Sequence, residues 1–283
     1  MEVFFYVLAN GFFLLAGLLL LRDSTRKNEY GKPVQVMVAR DTQIMFFLGT
    51  LLRFYWSASP PAVWSNEGPI VRTLCQADIC ISPIVWGCVL AFVAMQQTKY
   101  CESLSLPLPL FKDSTNVAAL SASGMAKNRI RLPLNWFTLT VATLLLSIFL
   151  HHMNPPSTWH IDEEDDQPWP MADVSVVWNM LLDCVAMFPQ LYIIYVTPEP
   201  PSDGAANFVG ILCVARVLRM VAWGHIIFTA WVRSIGVPGF LWCYVLPDFC
   251  HSLLMGKYLW LFLARIKKNH LDRWMHNVDG EMV

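Results

Sequence analysis

The chain has 283 residues, 55% hydrophobic and only 14% charged, against roughly 25% charged residues in an ordinary soluble domain. The apolar residues fall in blocks near the roughly 20 residues that cross a bilayer, which excludes a soluble globular protein and predicts an all-α membrane protein seated in a lipid bilayer. A net charge of −1 offers no basic surplus for nucleic acid, so no nucleic-acid partner is expected.

Seven transmembrane helices are predicted, at 3–21, 42–57, 70–95, 134–151, 172–196, 207–231 and 239–264. The first differs from a signal peptide because Glu2 precedes its core and Arg22, Arg26 and Lys27 follow it. That order describes a retained helix with its N-terminus outside the cytosol. The second is short and contains Arg53; the third contains Pro83 and the seventh Pro247, so both are expected to kink.

The connecting segments alternate in charge. Segments 22–40 and 97–133 carry five Lys/Arg each and the tail carries Arg265, Lys267, Lys268 and Arg273, whereas 58–69 and 152–171 carry none and 232–238 carries Arg233 alone. With the N-terminus outside, fourteen of these charges are cytosolic and one is not, a strong positive-inside pattern. The C-terminus is then cytosolic. The division is one membrane domain over 1–268, with an inserted cytosolic loop at 97–133 and an acidic non-cytosolic loop at 152–171, followed by a tail at 269–283. Three helices, a linking fourth and three more form a 3+1+3 pseudo-repeat, the plan of PQ-loop and SWEET-type proteins.

Seven of the eight cysteines lie inside apolar blocks and none forms a CxxC pair. Reduced, buried thiols are expected. The sequence has no Ser/His/Asp set, Gly-rich phosphate loop or Cys/His ligand spacing, so neither an enzyme, a metal nor a cofactor is expected.

Five basic residues fall within or at the ends of the helices: Arg53, Arg72, Arg216, Arg219 and Lys257. Acidic residues accompany them at Asp78, Asp173, Asp183 and Asp248. A charge at the bilayer centre costs about 2.5–3.5 kcal/mol on insertion scales, so these groups should face the bundle interior or a cavity. The assigned topology puts most of them in the outer half. Arg216, Arg219 and Trp223 recur at i, i+3 and i+7 on one helix face. Arginine grips a carboxylate bidentately, so the cluster predicts a non-cytosolic pocket for an anionic ligand such as an acidic peptide with a free C-terminus. The alternative is that the arginines pair with the aspartates and hold the helices together.

Four stretches carry a resemblance. Gln43 to Phe54, with Arg53 near its end, resembles the second-helix motif of the KDEL receptors. Asp183 to Leu191, with Pro189 and Gln190, is similar to their fifth-helix Pro-Gln segment; Ala215, Arg216, Arg219 and Trp223 resemble their sixth helix; Ala264 to Lys268 resembles their lysine-rich cytosolic end. The likeness spans most of 1–57 and 134–268.

The resemblance implies a receptor that binds the C-terminal retrieval tetrapeptide of lumenal proteins in a lumen-facing pocket. It would return them from the Golgi to the endoplasmic reticulum and load into vesicles through a cytosolic coat. It implies a protein of the endoplasmic reticulum membrane that cycles to the Golgi. Arg53 then matches the carboxylate-binding arginine, Arg216 the sixth-helix pocket arginine, Asp173 and Asp183 two pocket glutamates, and Trp223 a pocket tryptophan. Lys267 and Lys268 match the coat-recognised lysines. The chain departs from the pattern elsewhere. The family's first-helix arginine and histidine fall on Phe5 and Phe12, the acid three residues after the second-helix arginine falls on Trp56, and the second sixth-helix arginine falls on Ile226. Arg219 and Arg72 stand as substitutes, with Asp248 a further pocket residue. The competing reading, from a different class, is a PQ-loop or SWEET-like transporter of a small solute, which needs a polar path to both sides. A third is an interaction scaffold that tolerates loss of the pocket arginines.

Overall fold

A computed structural model of the chain describes residues 2–26, 38–58, 69–95, 105–107, 131–133, 135–153, 170–196, 203–232, 245–256 and 260. The helices are α1 (Glu2–Thr25), α2 (Arg40–Ala58), α3 (Pro69–Met95), α4 (Trp136–Met153), α5 (Pro170–Val185), α6 (Phe188–Val196) and α7 (Asp203–Val232). A further helical stretch covers 245–256, inside the predicted seventh helix. The protein is a helical membrane protein. Among the described residues, α1, α3, α4 and α7 contain stretches long and apolar enough to cross a bilayer. Helix α2 carries Arg40, Asp41 and Arg53, and these charges dilute its hydropathy.

Local chemistry sets the helix ends. The predicted fifth helix is two helices, separated by a turn at Ala186 and Met187. Pro189 lacks an N–H and its ring clashes with the carbonyl four residues earlier. That carbonyl belongs to Val185, where α5 stops. The helix assigned around Pro83 continues through it to Met95. Asn135 caps α4, its Oδ1 accepting from the Thr138 N–H at 2.9 Å, the usual way of satisfying a free donor in a first turn. Helix α1 runs four residues past its predicted end, to Thr25, and brings Asp23 and Ser24 into the buried set.

Two short strands, β1 (Ser105–Pro107) and β2 (Arg131–Pro133), pair antiparallel with Leu106 opposite Leu132. Both lie inside the predicted 97–133 insertion, β2 at its C-terminal end. Nothing else in the fold is extended among the described residues.

The helices form one bundle. Helix α1 packs on α7 and α3, α2 on α3 and α5, and α4 on α5. Helices α1 and α7 run antiparallel. At one end of the bundle Arg219 lies over the Tyr6 ring, 5.7 Å from its centroid. At the other end Asp23 lies against Gly204, where a side chain at 204 would come within 3.0 Å of the Asp23 carboxylate. Helix α1 and the start of α7 can meet this closely only because residue 204 has no Cβ.

An aromatic cluster fills the middle. Trp86 stacks on Phe13 at 4.8 Å and contacts Phe46 at 5.1 Å and Phe208 at 6.2 Å. These four rings come from α1, α2, α3 and α7 and are almost wholly buried. Large apolar side chains such as Ile70, Ile84, Phe137, Leu145 and Leu253 point outward, as a lipid-facing surface requires. The described cysteines, Cys75, Cys80, Cys88, Cys184, Cys213 and Cys250, are all free thiols, but only Cys75 is buried; Cys80, Cys88 and Cys250 are exposed, against the expectation of buried thiols, because they lie on outward faces of their helices.

Candidate functional site

A narrow cavity of about 20 Å³ opens at the Arg53 end of the bundle, with room for about one water. Helix α1 contributes Tyr6, Asn10 and Phe13, α2 contributes Gly49, Thr50 and Arg53, α5 contributes Asn179 and Asp183, and α7 contributes Arg216 and Arg219. Residues 6, 10 and 13 recur at i, i+4 and i+7, one stripe of α1. Phe13 belongs also to the aromatic cluster, so the cavity is floored by rings. Gly49 lets α2 approach α5: a Cβ there would lie 3.1 Å from both Asn179 Oδ1 and Asp183 Oδ1.

The cavity wall carries a linked set of charges, of which only Asp248 lies outside the lining. Arg216 reaches Asp183 Oδ2 with Nη2 and Asp248 Oδ1 with Nη1, each at 3.3 Å. Arg219 reaches Asp183 Oδ2 at 3.4 Å with Nη1. It grips Asp248 Oδ2 side-on, with Nε and Nη2 both 2.9 Å away. Trp223 Nε1 donates to the same oxygen at 2.7 Å. Arg216, Arg219 and Asp248 are 3%, 7% and 1% exposed, so every charge depends on these partners rather than on solvent. Two guanidinium groups and two carboxylates leave the set electrically neutral. Arg219 additionally lies over the Tyr6 face, a cation–π contact.

Arg53 lines the cavity from α2 and is buried. Its Nη2 is 2.9 Å from Asp78 Oδ2, an ion pair between α2 and α3. Asp78 also accepts from Ser82 Oγ at 2.8 Å, which holds its carboxylate in place. Trp56 occupies the position where the resembling family has an acid beside this arginine; here α3 supplies the acid.

The site residues expected from sequence separate into three groups. Arg53, Asp183, Arg216 and Arg219 line one cavity, and Asp248 and Trp223 join them by hydrogen bonds. Arg72 is exposed on α3 and lies outside the cavity lining. Asp173 lies in the first turn of α5, ten residues before Asp183, about 15 Å along the axis; its side chain is outside the described residues. Lys267, Lys268 and the acidic run 162–166 are also outside them. On α1 the sequence correspondence chose Phe5 and Phe12, whereas the cavity faces Tyr6, Asn10 and Phe13. The chosen positions sit one residue off the stripe that turns inward. Asn10 and Asn179 were not anticipated, and their signal was available: a polar residue inside an apolar helix, at helical spacing from Tyr6 and Asp183 respectively.

The far end of the bundle has its own buried polar layer. Asp23, Ser24, Asp41, Thr42, Gln43 and Gln190 are all nearly inaccessible. Gln190 Oε1 accepts the Ala39 N–H at 2.7 Å, just ahead of α2. Asp41 Oδ2 accepts from the Trp136 N–H at 3.3 Å, at the start of α4. The Pro-Gln pair therefore serves two purposes: the proline ends α5 and the glutamine anchors the entry to α2. This end, where the sequence suggested few charges, contains Asp23 and Asp41 because α1 and α2 extend beyond their predicted ends.

A family model described as ER lumen protein retaining receptor matches residues 37–225. The match takes in Arg53, Asp183, Gln190, Arg216 and Arg219 and excludes α1 and the 245–256 helix. No curated protein matches the chain.

Proposed function

The chain belongs to the family of ER lumen protein retaining receptors, and from that premise we propose that it binds C-terminal retrieval signals of lumenal proteins and returns them from the Golgi to the endoplasmic reticulum. The observation that carries this reading is the convergence of Arg53, Arg216 and Arg219, from two separate helices, on one cavity. Three guanidinium groups in a confined, poorly solvated site suit a peptide carboxylate, because water competes little there. Arg53 is the group for the C-terminal carboxylate, since it lines the cavity from α2, apart from the Arg216–Arg219 charge set, and matches the carboxylate-binding arginine of the family it resembles. Arg216, Arg219, Asp183 and Trp223, with Asp173 and Asp248, complete the peptide site in this reading. The cavity end faces the lumen, following the charge distribution of the loops, and Lys267 and Lys268 are presented to a cytosolic vesicle coat.

The narrowness of the cavity requires side chains to part before a peptide enters. The aromatic floor of Phe13, Phe46, Trp86 and Phe208 supports a receptor over a transporter, because it separates the two polar layers. The far-end polar layer is the observation that favours the transporter of a small polar solute, which would need those rings to move.

Binding of an acidic tetrapeptide to the purified protein tests the reading. Arg53→Ala should weaken binding well over tenfold, since truncating one partner of a buried pair costs about 2–5 kcal/mol at about 1.4 kcal/mol per decade. Amidating the peptide C-terminus should cost the wild type nearly as much and the variant little more, because both changes break one contact. Additive losses would show that Arg53 does not meet the carboxylate. Absence of binding to any acidic peptide would overturn the receptor reading.

A further inference from the structure

Asp248 is held as a bound ligand would be. Its Oδ2 accepts the side-on edge of Arg219 and the Trp223 indole N–H, while its Oδ1 meets Arg216. Two guanidinium groups and an indole around one carboxylate make a complete seat: charge, in-plane donors and an aromatic wall. Asp183 is held less closely, at 3.3 and 3.4 Å, and it lines the cavity, which Asp248 does not. The arginines therefore stand between the cavity and Asp248, with one edge turned to each.

We propose that the Arg216–Arg219–Trp223 seat is a carboxylate-binding subsite and that Asp248 competes for it with a carboxylate of the bound peptide. The inference rests on the peptide-binding reading for its ligand, but the seat itself rests on the geometry of these four residues. Charge balance gives the reason for competition. The buried set of Arg216, Arg219, Asp183 and Asp248 is neutral, so a ligand carboxylate added to it would leave one uncompensated buried negative charge. A ligand that takes over the Asp248 contacts substitutes one carboxylate for another and keeps the set neutral. The groups that face Asp248 from the neighbouring elements are Arg216, Arg219 and Trp223 of α7, and none of these gains from a second anion while Asp248 remains. Helix α7 holds Asp248 through side chains alone, with no backbone hydrogen bond from that helix to the carboxylate among the described contacts. Exchange therefore needs no change in secondary structure.

Two measurements test this. The first compares wild type with Asp248→Asn for an acidic tetrapeptide with a free C-terminus. The amide keeps the shape and an acceptor oxygen but loses the charge, so it should surrender the seat and raise peptide affinity about tenfold or more. Equal or weaker binding by the variant, with the wild type binding normally, would overturn the competition and leave the receptor reading standing. The second measurement does not depend on peptide binding or on the asparagine variant. Asp248→Ala, purified in acetate, should gain thermal stability as acetate rises through the millimolar range, and should not gain it from acetamide or chloride at equal concentration. Unfolding temperatures insensitive to acetate would overturn the seat. Stabilisation by acetate, in a protein that binds no acidic peptide, would establish the seat while the receptor reading fails.

Discussion

The two ends of the bundle solve the same problem differently. At the Arg53 end, buried polar groups are satisfied mainly by one another, through ion pairs between side chains of α2 and α3 and among α5, α7 and the 245–256 helix. At the Gln190 end several are satisfied by backbone, Gln190 accepting from Ala39, Asp41 from Trp136, and Ser24 Oγ donating to the Leu20 carbonyl at 2.7 Å, while Asp23 pairs locally with Arg22. Side chain to side chain pairing can be exchanged for a ligand group of the same chemistry. Side chain to backbone pairing fixes where helices begin and end. The difference teaches which end of the protein is built to bind and which is built to hold.

Asp183→Ala is the most severe way to break the comparison. It removes a carboxylate shared by Arg216 and Arg219 and leaves the set with surplus buried positive charge, a loss of about 3–5 kcal/mol. Thermal unfolding in detergent should fall steeply, whereas a loss under about 1 kcal/mol would mean that solvent or lipid headgroups stabilise these arginines.

Two smaller changes sharpen it, one at each end. Gly49→Ala places a methyl 3.1 Å from two polar oxygens of α5, an overpacking worth about 1–3 kcal/mol. It should also reduce peptide binding, because α2 and α5 must separate to admit it. Gln190→Ala removes the acceptor of a buried N–H, again about 1–3 kcal/mol. Its effect should fall on stability, with peptide affinity per folded molecule unchanged. A binding loss in Gln190→Ala equal to that in Gly49→Ala would erase the distinction between the ends.

Arg72→Ala should do least. The residue is exposed and away from the cavity lining, so stability should move by no more than about 0.5 kcal/mol and peptide affinity should hold. A tenfold loss of binding would return Arg72 to the site.

Periodicity and composition on their own determined that the protein crosses a membrane as a helical bundle, and they located its helices within a few residues. They also established that Arg216, Arg219 and Trp223 share a face, because a 3.6-residue repeat is local. The break before Pro189 was legible too, since a missing N–H acts within one turn, although the predicted fifth helix ran through it. What only the tertiary structure decided is which charge meets which. Arg53 finds Asp78 on another helix rather than an acid on its own. Arg219 enters the charge set and Arg72 does not, and Asp248 rather than a solvent-exposed group completes the seat. Such pairings depend on how far each helix is rotated and how deep it sits against its neighbours, quantities set by the packing of residues such as Phe13, Phe46, Gly49 and Trp86 across separate helices. A rotation of one residue, about 100° on a helix, separates Phe5 and Phe12 from Tyr6 and Phe13, and the one local mark of the inward stripe is Asn10, polar in an otherwise apolar stretch; the packing of α7 decides the rest.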